Sequence, residues 1–130
     1  MGDAKKRGIA WLRQAAKEFR EFPDEVQDAI DFQLHRILAG NMPDDFDKLN
    51  AIKGMTVYEI RERFKTNTYR CAYIAFFEQD VFVLTCFMKK ARQGVKTDKK
   101  DIDRIQRRVA ALIAGEARLK EAAEGAEKDG

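Results

Sequence analysis

The chain contains no serine, one histidine, two cysteines and two prolines. Without serine there is no Ser-His-Asp nucleophile system. The one histidine, His35, has no cysteine or carboxylate at metal-ligand spacing around it, so metal catalysis is not expected and His35 reads as structural. A Cys-His pair would need Cys71 or Cys86 brought onto His35 by chance. No Gly-rich phosphate-cradling loop is present, and Gly54 and Gly94 read as turn residues. No cofactor is implied. No apolar run reaches the roughly 18 residues of a membrane-spanning helix. The start, MGDAKKRGIAWL, lacks the long apolar segment of a secretory signal. A cytoplasmic protein with no membrane partner is expected, and in that setting Cys71 and Cys86 read as packed thiols.

What is present is charge, unevenly spread. Residues 53–100 carry 11 Lys and Arg against 5 Asp and Glu, residues 1–52 carry 8 against 10, and residues 101–130 carry 6 against 7. The 130 residues suit one domain. Its boundaries read as 1–115, followed by an acidic, flexible tail over 116–130 with few large apolar residues. A basic segment inside a neutral chain calls for a polyanion, unless its cations only guard a strand edge.

That segment holds three runs rich in β-branched and aromatic residues: Val57–Phe64, Thr68–Phe77 and Val81–Met88. The short breaks Lys65-Thr66-Asn67 and Glu78-Gln79-Asp80 predict an antiparallel meander. Alternation puts Glu59, Arg61 and Arg63 on one face, and Tyr58, Ile60 and Phe64 on the other. The middle run is apolar on both faces beyond Arg70, which makes it central. An arginine there needs a partner, either a carboxylate such as Glu59 or an anion from outside.

Around the meander the period becomes helical. Apolar positions 11, 12, 15, 16, 19 and 22 predict one helix, with residues 8–12 readable alternatively as a short strand. Pro23 separates it from a second helix carrying Val26, Ile30, Leu34, Ile37 and Leu38, which Gly40-Asn41 ends. Residues 41–54 read as a connector anchored by Phe46 and Leu49. Thr97 or Asp98 caps a third helix carrying Ile102, Ile105, Val109, Leu112 and Ile113, ended by Gly115.

A sheet bearing Arg, Lys and Tyr can bind RNA phosphates. It can also cleave RNA without metal, because the ribose 2′-hydroxyl is a built-in nucleophile. Arginine matches the phosphate oxygens with a planar fork, and a lysine crowded by other cations can move protons.

The ordered set WL (Trp11-Leu12), FP (Phe22-Pro23), DFDKLNAIKG (Asp45–Gly54), VYEIR (Val57–Arg61), YRCAY (Tyr69–Tyr73) and VFVLTCFMKK (Val81–Lys90), followed by IDRIQRR, resembles a known family. It is similar to the HigB-type, phage-derived Gp49-like toxins of the RelE superfamily of type II toxin–antitoxin systems, across residues 8–114. The resemblance implies an α+β, RelE-like fold with two N-terminal helices packed on a small antiparallel sheet and a C-terminal helix. It implies a ribosome-dependent endonuclease that cuts translated messenger RNA, and a partner antitoxin, typically a helix-turn-helix protein. A homodimer stays open. Carried over by motif, Arg70, Lys89, Lys90 and Arg92 are the catalytic candidates. Arg70 would stabilise the transition state, and one of the other three would donate a proton or clamp phosphate. Arg61, Arg63, Lys65, Lys96 and Lys53 are the RNA-binding candidates.

Overall fold

The run that is apolar on both faces becomes the middle of the sheet. The computed structural model describes residues 8–75, 80–91, 94 and 96–120. β1 (Ile9–Trp11) leads into α1 (Arg13–Arg20) and α2 (Asp24–Leu38). Then come β2 (Phe46–Lys48), β3 (Tyr58–Phe64), β4 (Asn67–Ala75), β5 (Val81–Lys90) and α3 (Lys99–Ile113). Of the expected breaks, Lys65 and Thr66 form a two-residue turn with Phe64 opposite Asn67, and Lys65 takes a left-handed φ of 56°. Most of the second break and the end of the second run, residues 76–79, lie outside the described residues.

The fold is α+β, but the expected RelE-like small antiparallel sheet is not what forms. The antiparallel meander β3-β4-β5 is the centre of a five-stranded mixed sheet, in the order β1-β5-β4-β3-β2. β1 runs parallel to β5, with Ile9 opposite Val81 and Trp11 opposite Val83; β2 pairs antiparallel with β3. Both added strands have three residues. Residues 8–12, readable as strand or helix start, supply the strand β1, while β2 lies in what read as a connector, because three residues are too few for a period of two to show. Phe46 therefore does not act as a buried anchor. It stands in β2, 40% exposed, edge-on to Tyr58, while Leu49 is buried as expected.

Each helix contributes one apolar stripe. Val26, Ile30, Leu34 and Ile37 of α2 and Ile105 and Val109 of α3 join Ile60, Tyr73, Ile74, Val83 and Leu84 of the sheet in one core. Phe22, between α1 and α2, sets its ring edge-on to Tyr69 at 4.9 Å, on the sheet face that also carries Cys71 and Ile60. Cys71 and Cys86 are opposed across β4 and β5 as free thiols with Sγ atoms 3.9 Å apart, and burial pushes the Cys86 thiol pKa up. His35 is not core: it is exposed on α2 and hydrogen-bonds the Asp31 carbonyl at 2.8 Å. Gly54 closes the loop before β3 at a φ of 96°. It lies so near α3 that an added Cβ would sit 3.0 Å from Ile113 Cδ1.

β5 bulges between its pairings with Ala72 and Tyr73, leaving Leu84 without an opposite residue. A bulge releases backbone groups that must find other partners. Glu18 of α1 accepts from the Cys86 amide at 3.0 Å and from Thr85 Oγ1 at 3.0 Å. Arg108 of α3 donates to the Leu84 carbonyl at 2.9 Å and grips both Glu18 carboxylate oxygens, at 3.0 and 2.9 Å. One ion pair thus closes the bulge and ties two helices to it.

Candidate active site

Register places the charged residues in rows. Arg61 lies directly opposite Arg70, which lies opposite Phe87; Arg63 lies opposite Thr68, which lies opposite Lys89. Opposed residues share a face, so Glu59, Arg61, Arg70 and Lys89 stand on the face away from Tyr69 and Ile60. Two arginines abreast repel each other, and Glu59 resolves the conflict. Its side chain is fully buried and its Oε1 accepts from Arg61 Nε and from Arg70 Nη1, each at 3.1 Å. Thr97 donates its hydroxyl to Glu59 Oε2 at 3.0 Å, and Asp47 of β2 takes Arg61 Nη2 at 3.1 Å.

Arg70 is 1% exposed. Burial pushes its pKa down from the ordinary arginine value, Glu59 opposes that, and Arg61 adds to it. Its Nη1 is held by Glu59 and Thr97, but its Nε has no acceptor among the described residues. A buried donor without a partner costs about 1–3 kcal/mol, which an acceptor brought to Nε would relieve. Lys89 is also buried. Its ammonium donates to the Lys96 carbonyl and, at 2.7 Å, to Asp98 Oδ1. That hydrogen bond holds the Asp98 carboxyl below the usual carboxylate range. A depressed carboxylate contributes above its unfolded value and loses its contribution as pH falls through the folded one, so the Lys89–Asp98 contact persists through neutral pH and opens in acid. Lys89, Lys96, Thr97, Asp98 and Lys99 line a shallow cleft of about 600 Å³ at the start of α3.

The structure brings together Arg61, Arg70, Lys89 and the backbone of Lys96. It does not bring in Lys90. Adjacent strand residues face opposite ways, and Lys90 lines a separate hollow with Thr66, Asn67 and Ala91. Arg92 lies outside the described residues. Lys65 is exposed at the β3–β4 turn, 5.4 Å over the Phe64 ring, and Lys53 is exposed on the loop before β3 with its backbone clamped by Gln106. The sequence predicts Thr97 or Asp98 as the cap of α3. Asp98 does occupy the cap position of α3, but its carboxylate turns to Lys89 instead of the helix amides. Asp47 gave no signal, lying in what read as a connector.

Residues 17–110 match the family model for the phage-derived protein Gp49-like family (DUF891). The chain belongs to this family. The match runs from α1 into α3 and includes every residue of the site just described. The family is associated with toxin–antitoxin systems. No curated protein and no solved structure matches the chain. Among the described residues of this Gp49-like protein, no group of three or more His, Cys, Asp or Glu is placed to hold a metal ion. No helix among them is long and apolar enough to cross a membrane.

Beside the site, this Gp49-like protein has a groove between α2 and β3, lined by Phe32, Asp44, Asp45, Arg61, Glu62 and Arg63. Gln33 pins its wall by exchanging hydrogen bonds with Asp44, at 2.9 and 3.0 Å. Burial, then the charges of Asp44 and Asp45, raise the Glu62 pKa. A carboxylate whose folded pKa is raised disfavours the fold above that pKa, and the penalty disappears as pH falls through it. Glu62→Gln is therefore expected to raise the melting temperature at pH 7 by roughly a degree or two, and to change nothing at pH 4. Thermal melts of both proteins at the two pH values check this.

Proposed function

We propose that this protein is the toxin of a type II toxin–antitoxin pair, a HigB-type endonuclease that cuts translated messenger RNA at the ribosome. The observation that carries the reading is Arg70: a buried guanidinium on a basic face, braced on one side by Glu59 and Thr97, with an Nε–H that has no acceptor among the described residues. A phosphoryl oxygen is a suitable acceptor. In the reaction the ribose 2′-oxygen bonds to the adjacent phosphorus as the P–O5′ bond breaks. The 2′-hydroxyl proton leaves to a base, the 5′-oxygen takes a proton, and the products are a 2′,3′-cyclic phosphate and a 5′-hydroxyl end. Arg70 would stabilise the charge on the pentavalent phosphorus. Lys89, released from Asp98, would stand at the same cleft to clamp phosphate or protonate the leaving oxygen. Arg61 would hold a neighbouring phosphate. An antitoxin would neutralise the protein.

The test is inducible expression of wild type, Arg70→Ala and Arg70→Lys, with mapping of messenger RNA ends. Wild type should arrest growth and create new ends on translated messages. Removing a preorganised donor costs about 10²–10³ in rate, so both variants should lose the new ends. Arg70→Lys keeps the charge opposite Glu59, so a melting curve near that of wild type shows that activity, not folding, was lost. The competing reading is a module that binds RNA or a partner protein without cutting. It is favoured by the closure of the site, where Glu59 and Asp98 already neutralise Arg70 and Lys89. A harmless, folded wild type would establish it.

A further inference from the structure

A second group of cations lies at the other end of α3. Arg13, Lys17 and Arg20 recur at helical spacing along one side of α1, whose first turn has no acidic residue and no side-chain cap. The segment after α3 turns back beside them. Leu119 bridges to Leu12, the Arg13 amide donates to the Arg118 carbonyl at 2.8 Å, and the Lys120 amide donates to the Trp11 carbonyl at 2.7 Å. The result is a pocket of about 340 Å³ lined by Arg13, Lys17, Arg108 and Arg118, with Glu116 as its one acidic residue.

Arg108 is already committed to Glu18. Arg13, Lys17 and Arg118 are exposed and have no ion-pair partner among the described residues, unlike Arg36, Lys99, Arg104 and Arg108. Three like charges around one hollow repel each other, with Glu116 alone to offset them. We propose that this pocket is a second phosphate site, which holds the RNA backbone at a distance from the cleft of Lys89 and Arg70. The inference rests on the RNA-binding part of the function proposed above. Lys99 lines the first cleft and Ala111 the second. Between them α3 rises about 18 Å at 1.5 Å per residue. A trinucleotide is too short to reach both sites; a dodecanucleotide can.

The experiment measures binding of 2′-O-methyl RNA, whose nucleophile is blocked, by fluorescence anisotropy across a range of salt. The full chain is compared with Arg13→Ala/Lys17→Ala/Arg118→Ala. The triple variant should bind the dodecanucleotide about tenfold more weakly or worse. Three lost phosphate contacts at about 0.7 each should flatten its log–log salt slope by about 2. Trinucleotide affinity should stay the same, and the melting temperature should hold or rise because the repulsion among the three cations outweighs their attraction to the one carboxylate, Glu116. Unchanged dodecanucleotide binding overturns the proposal. So does equal weakening of the trinucleotide, which marks a diffuse charge effect, or tighter binding of duplex DNA than of RNA at the same salt. Cleavage of unmodified RNA is read separately. A protein that never cuts but shows the length-dependent loss retains the second site and removes the nuclease reading; one that cuts without length dependence does the reverse.

Discussion

Arg108→Ala is expected to lower stability by about 2–3 kcal/mol, with a fall in melting temperature of roughly 10 °C. The size follows from what the guanidinium holds. Its side chain is 18% exposed and that of Glu18 is 28%, so the pair is neither a surface bridge of little worth nor fully desolvated. Its loss also strips the Leu84 carbonyl of a donor where the ladder with β4 is interrupted. Glu18→Ala should cost at least as much, since it orphans the Cys86 amide and the Thr85 hydroxyl as well as Arg108. Glu18→Gln keeps an acceptor and should cost less. A double-mutant cycle on Arg108→Ala and Glu18→Ala should give a coupling of about 1 kcal/mol or more. Additive effects would show that the two act on the bulge independently.

The legible parts of the fold were those with a long periodic signal. The three sheet runs, the stripe from Val26 to Leu38 and the stripe from Ile102 to Ile113 could be read because each repeats its period several times. Phe46–Lys48 could not, for a three-residue strand exists only through its partner; Ile9–Trp11 was readable as a short strand but equally as the start of α1, and pairing with β5 decides between them. Register was the second blind spot. Glu59 was readable as a partner for Arg70 because both lie on strands of definite alternation. Lys89 and Lys90 looked equivalent in sequence, yet the pleat sends them to opposite faces. Thr97 and Asp98 carried the right signal for the wrong reason: side chains that cap helices are also those that can turn toward a buried ammonium. The Glu18–Arg108 pair left no trace, because 90 residues separate its members and neither lies on an apolar stripe.

Glu59→Ala should be the most damaging single change in the chain, costing about 3–5 kcal/mol, because it leaves a buried arginine uncompensated beside a like charge. Arg61 and Arg70 face each other across β3 and β4, and the Glu59 carboxylate lies within hydrogen-bond reach of both. The consequence that separates a structural brace from a phosphate site is anion rescue. If the two guanidinium groups can share an oxyanion, phosphate or sulfate should take the place of the missing carboxylate and raise the melting temperature of Glu59→Ala. By linkage the gain reaches about 2.7 kcal/mol at a hundred times the dissociation constant, beyond what chloride gives at equal ionic strength. Glu59→Gln retains an acceptor between the arginines and should show a smaller loss and a weaker rescue. Equal stabilisation by phosphate and chloride would mean that the arginines do not converge on one anion. Arg70 would then belong to the architecture of the sheet, and the search for the phosphate-binding group would move to Lys89 and the start of α3.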